Sequence, residues 1–444
     1  MRNICFRFLI LTMENTQPTK VRFSILSMAT VVAFIMYLDR ICLANIIGSD
    51  SFQKNVHLET WQVDWIKGAF FWAYALFQVP AGWLSDRFGT RVLITVYIAA
   101  WSLFTAATSF STGFITLFFA RLLCGLAEAG YYPASSGLLT RWAHVEGRGL
   151  ASSFISWGGR VGGAVAPGLT AFVILQAGDW RYAGWIYGGM GVVVALGYWH
   201  VFREHPRLHP SCNAAEIDLL AEGRGAFLPA KDPPRRFPLA AALASGNLWL
   251  ANAVQFFTNI GWAFLVLSLS DYLKKVMHLD DRMAGWITTA ALSIGILALP
   301  LGGAVTDLIT RRWGKRLGRS LPMSLTKFAA AGCYLLALWT DSPWGMAVAF
   351  GMVAFFADIG LPAMWTTMQD ISGKHQAQLF GWSNMWGNFG AAILPLLFTK
   401  TLKLYDTNND YHEGVWLCAV AFVLAGVAAL FVNAEKEVIQ AEDD

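Results

Sequence analysis

Apolar runs of about 20 residues, each long enough to cross the hydrocarbon of a bilayer as a helix, recur along the whole chain. They predict spans near 23–47, 64–84, 92–109, 114–140, 149–175 and 183–202, then near 247–273, 283–305, 321–340, 345–368, 378–400 and 413–433. Between the two sets lies a polar, proline-rich segment from about Arg203 to Ser245, with His205-Pro206, His209-Pro210 and Asp232-Pro-Pro-Arg-Arg236. The pattern predicts an all-α polytopic membrane protein of twelve transmembrane helices in two six-helix bundles. Its expected units are 1–21, an N-terminal segment; 22–203, the first bundle; 204–246, a linker; 247–433, the second bundle; and 434–444, a tail.

Composition strengthens the membrane reading: 56% of residues are hydrophobic, 14% are charged, and mean hydropathy is +0.46. Soluble chains carry about a quarter charged residues, so this much apolar surface calls for lipid as solvent. The net charge of +4 matters less than its placement. About 21 of the 33 Lys and Arg fall on the side of the termini and linker, and about 8 on the other. By the positive-inside rule, termini and linker are expected in the cytoplasm, and the lack of a long outer loop with glycosylation signals fits an inner (plasma) membrane. No basic tail suggests nucleic acid. The six scattered cysteines form no Cys-x-x-Cys, so neither a disulfide nor a metal site is expected, and no cofactor. Met13 is an alternative start to Met1.

Four basic residues, Arg40, Arg121, Arg160 and Lys327, stand inside spans. Lys327, within two turns of a helix end, is expected to snorkel to the membrane surface. The arginines lie too deep for that. Arg121 and Glu128 are seven residues apart, two helical turns, so they share a face roughly 10 Å apart along the axis. Charges at such depth usually face a cavity or a partner and mark a pathway.

The halves echo each other. Gly82-Trp-Leu-Ser-Asp86-Arg87-Phe-Gly89-Thr-Arg91 joins spans two and three, while Gly303, Asp307, Arg311, Arg312, Gly314 and Arg316 recur between spans eight and nine. The first of these loops resembles the signature loop of the major facilitator superfamily. The resemblance implies that Gly82, Asp86, Arg87, Gly89 and Arg91 form a gate that clasps neighbouring helix ends.

Within that superfamily the chain is similar to the anion:cation symporters. Tyr37-Leu-Asp39-Arg40, Arg121-x6-Glu128 with Tyr132-Pro133, Trp180-Arg181, His209-Pro210 with Glu216, and Asn384-Met-Trp-Gly387-Asn388-Phe-Gly390 carry the likeness over about residues 22–433. It departs at His144, Gly147 and Arg148, and at Leu269-Ser270-Asp271-Tyr272-Leu273. The resemblance implies proton coupling at the matching acids and substrate recognition at the matching arginines.

The residues support that division of labour. Arginine stays charged and offers a planar fork to a carboxylate, whereas a buried carboxylate can shed its charge by taking a proton. With no histidine near mid-span, Asp39 and Glu128 are the proton-carrying candidates. Asp39 and Arg40 lie about 100° apart on their helix, so one faces the cavity and the other a neighbouring helix. The alternative is that these four groups form permanent intramembrane salt bridges.

Arg160, among Gly158, Gly159, Gly162 and Gly163, either reaches the cavity or pairs with a carboxylate such as Glu128. Asp358 either pairs with an arginine or accepts sugar hydroxyls. Tyr37, Tyr74, Gln78, Tyr131, Tyr132, Gln255, Asn259, Trp365, Thr366, Gln369, Asn384 and Asn388 supply further polar and stacking groups. Trp382 and Trp386 are further cavity candidates, and Trp61, Trp65, Trp142 and Trp344 are expected in the interfacial belts.

The expected activity is import of a small organic anion, a sugar acid first, with protons and by alternating access in a monomer. The alternatives are an exchanger or uniporter for phosphate-like or dicarboxylate anions, and a transporter-like sensor. No nucleophile with a base and no metal cluster points to an enzyme.

Overall fold

The computed structural model describes residues 17–222, 237, 239–340, 342–404 and 412–439; Met1, Cys5, Met13 and Asp232–Arg236 lie outside the described residues. Among the described residues, twelve crossings follow one another. In the first half they are Val21–Ile47, Thr60–Phe88, Thr90–Thr108, the broken pair Phe114–Glu128 and Tyr131–Trp142, Arg148–Ala177 and Arg181–Val201, here spans one to six. Span seven is Gly246–Ala263, continued through a π-turn at Phe264–Ser268 into Leu269–Val276. Spans eight and nine are the two arms of Asp281–Ala337, whose backbone leaves the helix at Gly314 (φ 78°). Span ten is the broken pair Pro343–Ile359 and Leu361–Ile371, span eleven Gln376–Leu404 and span twelve His412–Phe431.

Glycine decides how closely these helices approach. A Cβ at Gly158 would stand 2.4 Å from the Thr30 carbonyl oxygen and one at Gly162 2.2 Å from that of Phe34, so span five lies directly on the backbone of span one. Span eleven repeats the device on span seven, where a Cβ at Gly390 would stand 2.2 Å from the Phe256 oxygen. Small residues at such crossings let dispersion act over whole backbones where lipid supplies no hydrophobic drive.

The turns after spans two and eight also match. Gly89 (φ 88°) and Gly314 (φ 78°) both adopt the left-handed region that L side chains avoid. Glu204, just past span six, caps span three by accepting the N–H groups of Thr90 at 3.1 Å and Arg91 at 2.9 Å. Arg141 closes on the same carboxylate at 2.9 Å. Burial alone would raise the Glu204 carboxyl, but the Arg141 guanidinium and the two N–H donors outweigh it and hold the group below the ordinary glutamate range. The linker helix Ala214–Ala221 is tied to span one through Glu216, which accepts from the N–H groups of Val21 and Arg22 at 3.2 and 3.1 Å.

On the face that carries the termini and linker, the two halves are sealed together. Asp86 accepts the N–H groups of Ala377 and Gln378 at 3.0 and 2.9 Å. Asp307 accepts those of Gly149 and Leu150, both at 2.8 Å. Asp370 binds Arg319 of its own half at 2.9 Å and Arg148 of the other at 3.2 Å.

Two tryptophan and lysine expectations are corrected by packing. Trp142 is not a belt residue: it is fully buried and donates its indole N–H to the Arg203 carbonyl at 3.0 Å. Lys327 does not snorkel. It is 0% exposed, with its ammonium donating to the Ala357 carbonyl at 3.1 Å, because span ten covers the route to the surface.

Candidate functional site

A cavity of about 140 Å³ lies between the halves, beyond the seal, with Tyr37, Arg40, Tyr74, Arg160, Asp358, Trp365 and Asn384 all in its lining. Tyr132 and Trp365, one from each half, meet edge to face at 4.9 Å between ring centroids.

Arg40 owes its pose to three rings. Its guanidinium lies 4.5 Å from the centroid of Tyr74, 4.8 Å from Tyr37 and 5.1 Å from Phe70, positions where the ring quadrupole favours a cation. Tyr37 comes from one turn earlier on the same helix, the spacing that puts side chains on one face. Arg40 then reaches Glu128, with Nη2 and Nε at 2.8 and 2.9 Å from Oε2. Glu128 is fully buried; the Arg40 side chain is 12% exposed and faces the cavity.

Asp39, pointing the other way around the helix, is 0% exposed. Glu128, Arg121 and the indole of Trp101 surround it, and neither of its oxygens makes a hydrogen bond of good geometry among the described residues. Arg121 stands behind Arg40, donating Nη2–H to the Arg40 carbonyl at 3.2 Å, and is not in the cavity lining. The expected Arg121–Glu128 alignment is therefore a shared buried face, while Arg40 is the group that reaches the opening.

Arg160 both faces the cavity and pairs with a carboxylate. It lines the cavity, and its Nη2 lies 3.0 Å from Asp358 Oδ1 of the opposite half. The indole of Trp262 packs on the guanidinium at 4.0 Å. Its partner is Asp358 and not Glu128, because span five sends the side chain toward span ten.

Glu128 and Asp358 each stand two residues before the glycine, Gly130 or Gly360, at which their span breaks. The paired Glu-Ala-Gly and Asp-Ile-Gly is a repeat signal that the sequence itself carries. Ser156, Thr258 and Trp262 also line the cavity without having been expected there. Gln255, Asn259 and Trp262 share one helical face, a spacing that would have found the last of them.

Other expected groups lie elsewhere. Thr366 bonds back to the Pro362 carbonyl, Gln369 donates to Ser152 across the seal, and Tyr131 donates to the Ala29 carbonyl. Gln78 is buried outside the lining. Trp382 and Trp386 pack with Trp249, at 6.3 and 5.3 Å between ring centroids, and not into the cavity. In the loop after span two, Asp86 makes the cap described above and Arg91 donates to the Trp199 carbonyl at 2.8 Å. Arg87 packs over the rings of Trp83 and Phe88. Gly82 is required where it lies, since a Cβ there would stand 2.3 Å from the Ala377 oxygen.

Two six-helix halves around a charged midplane cavity, sealed at one end, define a secondary membrane transporter and not an enzyme. The chain belongs to the Major Facilitator Superfamily, whose model matches residues 29–254 and 251–443. It is similar to a probable sulfoacetate transporter of Cupriavidus necator, 25% identical over 94% of this chain and 95% of that one. It is also similar to a D-galactonate transporter of Escherichia coli, 27% identical over 95% of this chain and 98% of that one. Among solved structures it resembles the Major Facilitator Superfamily transporter FucP in the outward conformation, with a TM-score of 0.70, 13% identity, and 93% of this chain and 100% of that one covered.

Proposed function

We propose that the protein is a proton-coupled symporter that imports a small organic anion, a sugar acid of the hexuronate, aldonate or aldarate type, by alternating access. The ion pair between Arg40 in the cavity wall and the fully buried Glu128 behind it, with Asp39 buried beside them, is the observation that carries this reading. Relatives named for galactonate and sulfoacetate support the substrate class.

An incoming carboxylate competes with Glu128 for the Arg40 fork. Once displaced, Glu128 is a buried acid without its counter-charge, and taking a proton removes that cost. Asp39 stands next to it and next to Arg121, placed to exchange the proton. Anion and proton then load together, and the hydroxyl and amide groups of Tyr37, Tyr74 and Asn384 meet the substrate's hydroxyls. In this reading the face of the termini, with its excess of basic residues, is cytoplasmic in an inner (plasma) membrane, and the monomer is the working unit.

Uptake of radiolabelled sugar acids into proteoliposomes, with and without an inward proton gradient, tests the reading. Wild type is expected to accumulate substrate above equilibrium when the gradient is imposed. Glu128→Gln is expected to abolish that accumulation and to retain exchange. Arg160 in the lining favours a second reading, an exchanger or uniporter for phosphate-like or dicarboxylate anions. Transport independent of the gradient and untouched by Glu128→Gln decides for it.

A further inference from the structure

Arg160 is the cavity's second guanidinium, and it is held by a carboxylate of the opposite half. Asp358 gives it only Oδ1; Oδ2 has no hydrogen-bond partner among the described residues. Behind Asp358, outside the cavity lining, lies Lys327, fully buried, whose ammonium bonds the carbonyl of Ala357, the preceding residue. Space is kept for this arrangement by glycine. A Cβ at Gly295 would stand 2.7 Å from Asp358 Oδ2, and one at Gly360 3.3 Å from Lys327 Nζ.

We propose that Arg160 is a second anion site, occupied by Asp358 until a substrate with two anionic groups displaces it, and that Lys327 neutralises the displaced carboxylate. The substrate is then a dianion that bridges Arg40 and Arg160. This rests on the proton-coupled reading given above.

Charge balance points the same way. The cavity wall and the layer directly behind it hold, among the described residues, four basic groups, Arg40, Arg121, Arg160 and Lys327, and three acids, Asp39, Glu128 and Asp358. With every acid ionised the core carries one positive charge. One coupled proton raises that to two, which a dianion cancels. A monoanion with one proton leaves an uncompensated charge in a medium that penalises it. Glu128 and Asp358 also hold corresponding places, each two residues before the break of its span and each holding a cavity arginine of the first half. Each acts as an internal substitute for one end of the substrate. Displacing Asp358 additionally releases a direct tie between the halves, so the second anionic group is the one that frees them to move.

The test is equilibrium competition binding to purified protein at one pH, with no gradient, using matched pairs: galactarate with galactonate, and sulfoacetate with glycolate. Each pair differs by one anionic group. Wild type is expected to bind the dianion of at least one pair about tenfold or more tightly than its monoanion. Arg160→Gln is expected to bring that ratio close to one by weakening the dianion alone, while Arg160→Lys keeps most of it. Asp358→Asn removes the competitor and tightens the dianion several-fold. Lys327→Gln weakens the dianion, and adding Asp358→Asn cancels that loss.

Equal binding of dianion and monoanion in wild type, or equal weakening of both by Arg160→Gln, overturns the inference and leaves the symporter reading standing. Binding of none of the four removes the organic-anion reading, and the inference with it. Should Arg160→Gln not yield monodisperse protein, the opposed effects of Asp358→Asn and Lys327→Gln decide the same question.

Discussion

Asp86 in the first half and Asp307 in the second do the same work on each other's helices. Asp86 caps the start of span eleven through Ala377 and Gln378, and Asp307 caps the start of span five through Gly149 and Leu150. Each carboxylate faces the positive end of a helix across the boundary between halves, and each stands four residues after the glycine that lets the backbones meet. The pseudo-twofold relation makes the seal doubly held, and both caps must break before this face can open.

Removing one carboxylate should therefore loosen the seal without unfolding the chain. A charge-assisted cap contributes about 1–2 kcal/mol, a factor of roughly 5–30 in a two-state equilibrium. Asp86→Asn and Asp307→Asn are each expected to shift population toward opening at this face. Spin-label distances between the two halves on that face would lengthen in both variants, and an unchanged distance distribution would count against the caps as latches.

Glu204 gives a pH signature outside the membrane. Its folded-state pKa is depressed by Arg141 and the N–H groups of Thr90 and Arg91, so its stabilisation is present above the unfolded glutamate pKa of about 4.3 and is lost as pH falls through the lower folded value. Glu204→Gln is expected to lower the thermal midpoint at pH 7, consistent with loss of a cap of about 1 kcal/mol. The difference from wild type should shrink below about pH 4. Thermal unfolding in detergent at several pH values measures this directly.

Gly162 tests the close crossing of spans one and five. Alanine there would put a methyl group 2.2 Å from the Phe34 carbonyl oxygen, where the neighbour is backbone and cannot rotate away. Overpacking of this kind costs about 1–3 kcal/mol when side chains can yield, and more when they cannot. Gly162→Ala is expected to reduce the yield of monodisperse protein sharply. Gly168, on the same span with nothing within 4 Å of such a Cβ, is the control that should tolerate alanine.

Asp39→Asn separates structure from coupling. Neither carboxylate oxygen makes a hydrogen bond of good geometry among the described residues, so an isosteric neutral group, which can still accept from the Trp101 indole, should cost little stability. Folding and anion binding are expected to survive, while gradient-driven accumulation falls to near equilibrium. If Asp39 served instead as a fixed counter-charge to Arg121, Asn would lower the melting temperature and leave the accumulation ratio unchanged.

The number and order of crossings were legible in the apolar runs because a bilayer imposes one length on every helix. The paired loops after spans two and eight were legible because the repeat wrote them twice, and the deep charges because membranes make them rare. Tertiary structure alone decided which charge met which. One-dimensional spacing could align Arg121 with Glu128, yet Arg40 reaches that carboxylate, because three aromatic rings from two helices hold its guanidinium. Arg160 found Asp358, 198 residues away, through the packing of span five on span ten. Lys327 and Trp142 were misjudged for a related reason: distance from a helix end says nothing about which neighbour covers the path to the surface. Length and hydropathy are properties of a segment, whereas pairing and burial belong to the way segments meet.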